Sequence, residues 1–210
     1  MKINWLASYP RSGNTFIRTI LFNCFGIKTG SIYQNDLGGN KILENFVGHI
    51  EHNPDKTITF QKATIPIIKT HELNKDKNRA IYLVRDGRAA TVSLWHFYDK
   101  KISIEDIILG HTIYGKWKDH LNSRNPLKRD NTLFIKYEDI IPEFKSILSS
   151  IGTFLDKDII SKKLPSRDSV ALFDGKWVRS KTDWRKNISS KELELFNEVN
   201  YSVLEKYGYE

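Results

Sequence analysis

Apolar residues in this chain fall in short runs bounded by turn residues, and the stretches between those runs repeat apolar positions at helical spacing. Residues 3–7, 65–69, 80–84 and 132–136 have the length of buried strands. Pro66 stands near the start of its run, where a missing N–H is tolerated. Helical spacing follows residue 15 (Phe16, Ile17, Ile20, Leu21) and residue 88 (Ala89, Val92, Trp95). Ser103 reads as an N-cap with Glu105 and Asp106 in the first turn, and Ile104, Ile107, Ile108, Tyr114, Trp117 and Leu121 predict a helix to about residue 120. Tyr137-Glu138-Asp139 predicts another helix start. A closing helix is expected from a cap at Ser190 to Lys206, before Gly208. Between residues 26 and 60 the pattern weakens, with one short helix expected over residues 41–50. This strand–helix alternation predicts α/β architecture: one domain over residues 1–210, its mainly parallel sheet flanked by helices.

Composition narrows this only a little. A chain of 210 residues, 40% hydrophobic and 28% charged, is ordinary for one sizeable core. It shows no apolar run of bilayer length and no secretory leader pattern, so a cytoplasmic protein with no membrane partner is expected. Cys24 is the lone cysteine and falls on the apolar face of the first helix, which predicts a buried structural thiol. No Cys/His cluster has metal-ligand spacing, and no metal is expected. The net charge of +8 favours an anionic partner. Much of the excess is scattered lysine, such as Lys75, Lys77, Lys100 and Lys101, which reads as a solvated face.

The chemistry begins at residues 8–16, Ser-Tyr-Pro-Arg-Ser-Gly-Asn-Thr-Phe, between the first strand and the first helix. Unpaired N–H groups at a helix start and the positive end of its dipole attract an anion. Gly13 allows close backbone approach, Arg11 adds a full charge, and Ser12 and Thr15 add hydroxyl donors. An ordinary βα turn would also use Pro and Gly. The loop is not a nucleotide-triphosphate P-loop, because it has no G-K-[ST] and its cation precedes the glycine.

Tyr9-Pro10-Arg11-Ser12-Gly13-Asn14-Thr15-Phe16 resembles the 5′-phosphosulfate loop of the PAPS-dependent sulfotransferases, Tyr-Pro-Lys-Ser-Gly-Thr-Thr-Trp. Lys69-Thr70-His71 resembles the family's Lys-Thr-His beside the acceptor. Tyr82-Leu83-Val84-Arg85-Asp86-Gly87-Arg88, followed by Ser93, resembles its 3′-phosphate motif, and Tyr137-Glu138-Asp139 its Tyr-Glu-Asp. These motifs occur in the family's order. Tyr114-Gly115-Lys116-Trp117 with His120 is similar to a Tyr-Gly-x-Trp-x-x-His segment of the cytosolic members, although Trp117 itself reads better as part of an aromatic core stripe. The likeness thins at residues 176–187. There Asp183-Trp184-Arg185 fits, but the family's Arg-Lys-Gly is absent, with Arg179 and Lys181 as substitute cations.

The resemblance implies a P-loop-like sulfotransferase fold that transfers a sulfuryl group from PAPS to a hydroxyl or amine of a small-molecule or glycan acceptor. It implies His71 as general base, with Arg11 and Lys69 stabilising charge. Arg11, Ser12, Gly13, Asn14, Thr15, Phe16, Arg85, Ser93, Tyr137, Arg179 and Lys181 are its implied donor-binding residues. Residues 26–60 become an acceptor-side lid, with Phe46 and His49 as candidate walls, and residues 174–187 a loop covering the cofactor. A P-loop-type kinase or NTPase shares the strand–loop–helix but would need a G-K-[ST]. A catalytically silent polyanion-binding module would use the positive charge and the Trp and Tyr residues, although nucleic acid is not the expected partner. A sulfotransferase fold that has lost activity is the remaining alternative.

Overall fold

The computed structural model describes residues 3–61, 65–163 and 183–209. Five strands form its sheet: β1 Asn4–Ser8, β2 Gly30–Ser31, β3 Ile67–Thr70, β4 Arg79–Val84 and β5 Thr132–Lys136. Their order is β2-β3-β1-β4-β5 and every pairing is parallel. β1 is central, with Ala7 beside Thr70 of β3 on one side and Tyr82 of β4 on the other. The residues leaving these strands therefore emerge along one edge, as ligand-binding loops of open parallel sheets do.

Alternation along the strands assigns their side chains to two cores. Leu6, Ile81, Leu83 and Ile135 pack with Ile17, Ile20 and Leu21 of α1 (Asn14–Phe25) and with Leu148 and Ile151 of α6 (Phe144–Leu155). Ala7, Tyr82 and Val84 join the opposite core. It contains Ala90 and Leu94 of α3 (Gly87–Phe97), Ile107 and Ile108 of α4 (Ile104–Leu109), Trp117 and Leu121 of α5 (Trp117–Arg124), and Phe196 and Val203 of α7 (Ser190–Tyr207). Cys24 is buried in the α1 core. The short helix α2 (Lys41–Phe46) is capped by the Asn40 side chain, which accepts the Leu43 N–H at 3.1 Å. A third, small cluster of Leu37, Leu43 and Val47 lies beneath it.

Several elements depart from the sequence pattern. The helix expected from Ser103 to about residue 120 is two helices. Gly110 closes α4 in the left-handed conformation (φ 82°), Gly115 is also left-handed (φ 68°), and α5 begins at Trp117. A Cβ on Gly110 would lie 2.9 Å from the Lys116 backbone nitrogen, so the chain folds tightly back on itself here. Tyr137–Asp139 forms a single 3₁₀ turn, and the helix proper starts at Phe144. Pro142 disfavours helical backbone at Ile141 and so delays that start. Ser189, not Ser190, caps α7 through a reciprocal box with Glu192. The two-residue edge strand β2 is too short to leave a sequence signal.

Gly87 opens α3 where the helix meets its neighbours. A Cβ there would lie 2.5 Å from Phe196 Cζ and 2.6 Å from Trp117 Cδ2, both in the core. Gly87→Ala is expected to cost about 1–3 kcal/mol through overpacking, read as a lowered midpoint in denaturant unfolding with unchanged slope.

Candidate active site

The loop after β1 is shaped by its backbone. Arg11 (φ 65°) and Gly13 (φ 96°) are both left-handed, an alternation that builds concave rows of N–H groups suited to anions. Gly13 occupies the N-cap position of α1, no side chain caps that end, and no acid stands in the first turn. Ser12 is fully buried, and its Oγ has no hydrogen-bond partner among the described residues. A Cβ on Gly13 would run into the Tyr137 ring. Only glycine therefore fits both the φ and the packing.

Around this loop lies a cavity of about 870 Å³, within the range of ligand sites. It brings together Arg11, Gly13, Asn14, Thr15 and Phe16 from the loop and α1, Lys69 and His71 from the end of β3, Arg85 and Ser93 from the β4–α3 unit, and Tyr137 from the end of β5. Ser12 is buried beneath the loop instead of lining the cavity. Arg179 and Lys181 lie outside the described residues. Of the expected covering loop, Trp184 and Arg185 reach the cavity. Arg88 sits over the Trp184 ring at 5.0 Å.

The expected donor residues are tied to one another. Arg11 Nε donates to Ser93 Oγ at 3.1 Å, and its guanidinium lies 5.2 Å from the Phe97 ring, one turn further along α3. Arg85 Nη1 donates to the Arg11 carbonyl at 3.0 Å and its guanidinium stacks 4.7 Å from the Tyr137 ring. Arg85 thus braces the loop from below as well as lining the cavity. Arg85 and Asp86 do not form the local ion pair that their adjacency allows. Asp86 caps α3 by accepting the Arg88 N–H at 2.9 Å and pairs with the Arg88 guanidinium. The Glu138 carboxylate joins two elements, accepting from the Asp86 N–H at 3.0 Å and the Tyr209 hydroxyl at 2.9 Å.

His71 has a fixed tautomer. Its Nδ1 lies 2.8 Å from the Ser8 carbonyl, which can only accept, so Nδ1 carries the proton and Nε2 keeps its lone pair. Tyr33 stacks on the ring at 5.8 Å, and its hydroxyl accepts the His71 N–H at 3.0 Å; Tyr114 meets the ring edge-on. Burial, and then the Lys69 ammonium, pull the imidazole down to about 3. It is neutral at ordinary pH. His120 is fully buried behind Tyr9 and Tyr82, bonds the Tyr82 hydroxyl at 2.8 Å, and is lowered to about 3 chiefly by burial.

Lys69 is 4% exposed and its Nζ pairs with Asp36 at 2.5 Å. The other Asp36 oxygen takes Arg18 Nη1 at 2.6 Å, and Arg18 is wholly buried. Sequence reasoning missed both Arg18 and Asp36. The signal was present: Arg18 interrupts the apolar face of α1, and a buried guanidinium requires a carboxylate. Residues 26–60 contribute Tyr33, Asn35 and Asp36 to the cavity, whereas Phe46 and His49 do not line it. Phe46 packs on the Leu37 cluster, and His49 Nδ1 meets Arg18 Nη2 at 2.8 Å.

Among the described residues no group of His, Cys, Asp and Glu is arranged to hold a metal, and no helix is long and apolar enough to cross a membrane.

This architecture, a central parallel sheet flanked by helices with a tight loop between β1 and α1, is that of an α/β protein with a P-loop-like fold. Residues 3–174 match the family model described as "Sulfotransferase domain", and the chain belongs to that family. It is 27% identical over 173 residues to cytosolic sulfotransferase 13 of Arabidopsis thaliana, covering 71% of this chain and 52% of that protein. With sulfotransferase 1B1 of Mus musculus the identity is 28% over 182 residues, covering 76% and 60%. The chain thus spans between half and two thirds of the length of these relatives. Among solved structures, mouse sulfotransferase SULT7A1 complexed with PAP superposes with a TM-score of 0.66 at 21% identity, covering 99% of this chain and 88% of that one. Retinol dehydratase in complex with androsterone and the inactive cofactor PAP gives 0.71 at 16% identity, covering 97% and 81%. These likenesses establish the shared fold.

The neutral imidazoles make stability depend on pH. Unfolded histidine titrates near 6.5, above the folded values of His71 and His120, so between those values the unfolded chain binds more protons. Folding is therefore disfavoured progressively as pH falls from about 6.5 toward 3, by up to about 1.4 kcal/mol per pH unit for each such histidine. Lys69 and Arg18 outweigh burial and hold the Asp36 carboxyl well below the usual range, so its contribution is present above about pH 4 and is lost below that. Denaturant unfolding across pH 4–7 should show this slope, and His120→Gln should reduce it by about one proton's worth.

Proposed function

We propose that this protein transfers a sulfuryl group from PAPS to a hydroxyl or amine acceptor, with His71 as general base. One observation carries the reading: a single cavity joins the anion-binding loop of α1 to a histidine whose tautomer is fixed by the Ser8 carbonyl. When bound, PAPS supplies an activated sulfuryl group attached to a 5′-phosphate that departs. The start of α1 suits such a group, because no side chain caps it and no acid stands in its first turn, which leaves its N–H groups for an anion.

In this reading the backbone N–H groups of residues 12–16, with the Thr15 hydroxyl, hold the 5′ end. Arg85 and Ser93 hold the 3′-phosphate, and Tyr137 flanks the adenine. Arg11 stabilises charge on the leaving oxygen. A guanidinium keeps its proton, so Arg11 acts through its field and not as an acid. Lys69 adds a second cation beside His71. The Nε2 lone pair of His71 takes the acceptor's proton. Because the imidazole is already neutral, that step needs no prior deprotonation. Tyr33 and Tyr114 hold the ring against rotation and border the place where an acceptor would lie.

Calorimetric titration with 3′-phosphoadenosine 5′-phosphate tests the donor site. Binding is expected without magnesium, stronger than for ATP, and at least tenfold weaker in Arg85→Ala. His71→Gln should retain that binding and lose roughly two to four powers of ten in turnover, with kcat in the native protein showing no ionisation near pH 6.5. Preference for ATP with magnesium, or full turnover in His71→Gln, would overturn the reading.

A further inference from the structure

We infer that Asp36 is a positioning residue for the reaction: it keeps Lys69 charged and aimed at the cavity, and Arg18 anchors the carboxylate that does so. The inference rests on the proposed role of Lys69 beside the transferring group, and its geometry stands independently of that role.

Three elements meet at this carboxylate. Asp36 begins the 3₁₀ turn after β2, Lys69 is in β3, and Arg18 is in the middle of α1. The three side chains are 2%, 5% and 0% exposed, so little water screens them. Each carboxylate oxygen serves one cation, at 2.5 Å to Lys69 and 2.6 Å to Arg18. Leu37, buried and left-handed at φ 62°, turns the backbone immediately after Asp36. Such a conformation persists in a non-glycine residue only where its surroundings enforce it.

Arg18 is committed in every direction. Its Nε donates to Thr29 Oγ1 at 2.8 Å, Nη2 to the Thr29 carbonyl at 3.4 Å, and Nη2 also to His49 Nδ1. The His49 nitrogen facing that N–H must be the acceptor, so the ring is neutral and adds no charge. Glu44, the other acid near Arg18, is engaged by Lys41 at 3.1 Å. Around Lys69 stand Asp36, Arg18, Arg11 and the His71 ring, with the Tyr33 face at 5.6 Å; Tyr114 senses Asp36 from across the cavity. Among these groups Asp36 is the carboxylate that answers Lys69. Without it, two buried cations would confront each other. Arginine cannot release its proton in this range, so Lys69 would release its own.

This gives opposite consequences for the two halves of the bridge. Asp36→Asn removes the anion and leaves Arg18 repelling Lys69, so Lys69 should titrate at lower pH. Arg18→Gln removes the repulsion and leaves Asp36 to Lys69 alone, so Lys69 should titrate at higher pH. General damage to the fold would not produce shifts of opposite sign.

The experiment is NMR titration of the Lys69 Cε–Nζ resonance, assigned through Lys69→Arg, in the native protein and both variants. Expected is a midpoint lowered by about one pH unit or more in Asp36→Asn and raised in Arg18→Gln, with the alkaline limb of kcat moving the same way in each. Should Asp36→Asn fail to fold, the double variant Asp36→Asn/Arg18→Gln removes both buried charges and should give an intermediate midpoint. An unmoved Lys69 midpoint in the variants, or midpoints moving in the same direction, would overturn the inference. So would shifted midpoints with an unshifted kcat limb. Absence of transfer in the native protein, with the midpoints shifting as expected, would instead overturn the proposed activity and leave the electrostatic bridge standing.

Discussion

Parallel pairing is the constraint on which this site depends. Once β1 pairs in the same direction with both β3 and β4, the chain leaves all three strands at one edge of the sheet. Ser8, His71 and Arg85 are then neighbours although they lie far apart in sequence. The consequences are visible in contacts that span the chain: the Ser8 carbonyl fixes the His71 tautomer, and Arg85 supports the Arg11 carbonyl. A side chain in this site is held by the backbone of a different strand's exit. Precision of this kind comes from the sheet and not from the loops themselves.

Buried charge imposes the second requirement. Arg18 lies within the apolar packing of α1, where an unpaired guanidinium would be untenable. Satisfying it draws in Thr29, Asp36 and His49, and so fastens the irregular segment after α1 against the sheet. The same carboxylate then meets Lys69. A requirement of folding and a requirement of the site are met by one residue. This explains how a stretch with little regular structure, held by the small Leu37 cluster, can still bring Tyr33, Asn35 and Asp36 to the cavity wall.

Much of this was legible because local signals and global architecture agree. The runs at residues 3–7, 65–69, 80–84 and 132–136 correspond to β1, β3, β4 and β5 within two residues at each end. The loop at residues 8–16 announced itself through Pro10, Gly13 and the hydroxyls around it, and the cavity does gather Arg11, Lys69, His71, Arg85, Ser93 and Tyr137. What escaped notice was decided by tertiary contact. Apolar spacing carried a predicted helix straight through residues 110–116, where Gly110 and Gly115 instead take left-handed turns. The apolar residues there had two destinations, the core for Trp117 and the cavity for Tyr114. Periodicity reports that a residue is apolar and says nothing of which surface receives it.

Asp36 escaped for a different reason, and it could have been found by accounting for charge. Arg18 breaks an otherwise apolar helix face, and Asp36 is the first acidic residue in the chain. A buried cation on that face needs a carboxylate from another part of the fold. The strand holding Lys69 then adds a second cation to the same interior. Lys69 was legible because it stands in the contiguous motif Lys69-Thr70-His71. The carboxylate that makes a buried lysine tolerable belongs to no contiguous motif. It becomes visible only when each buried charge is asked what neutralises it.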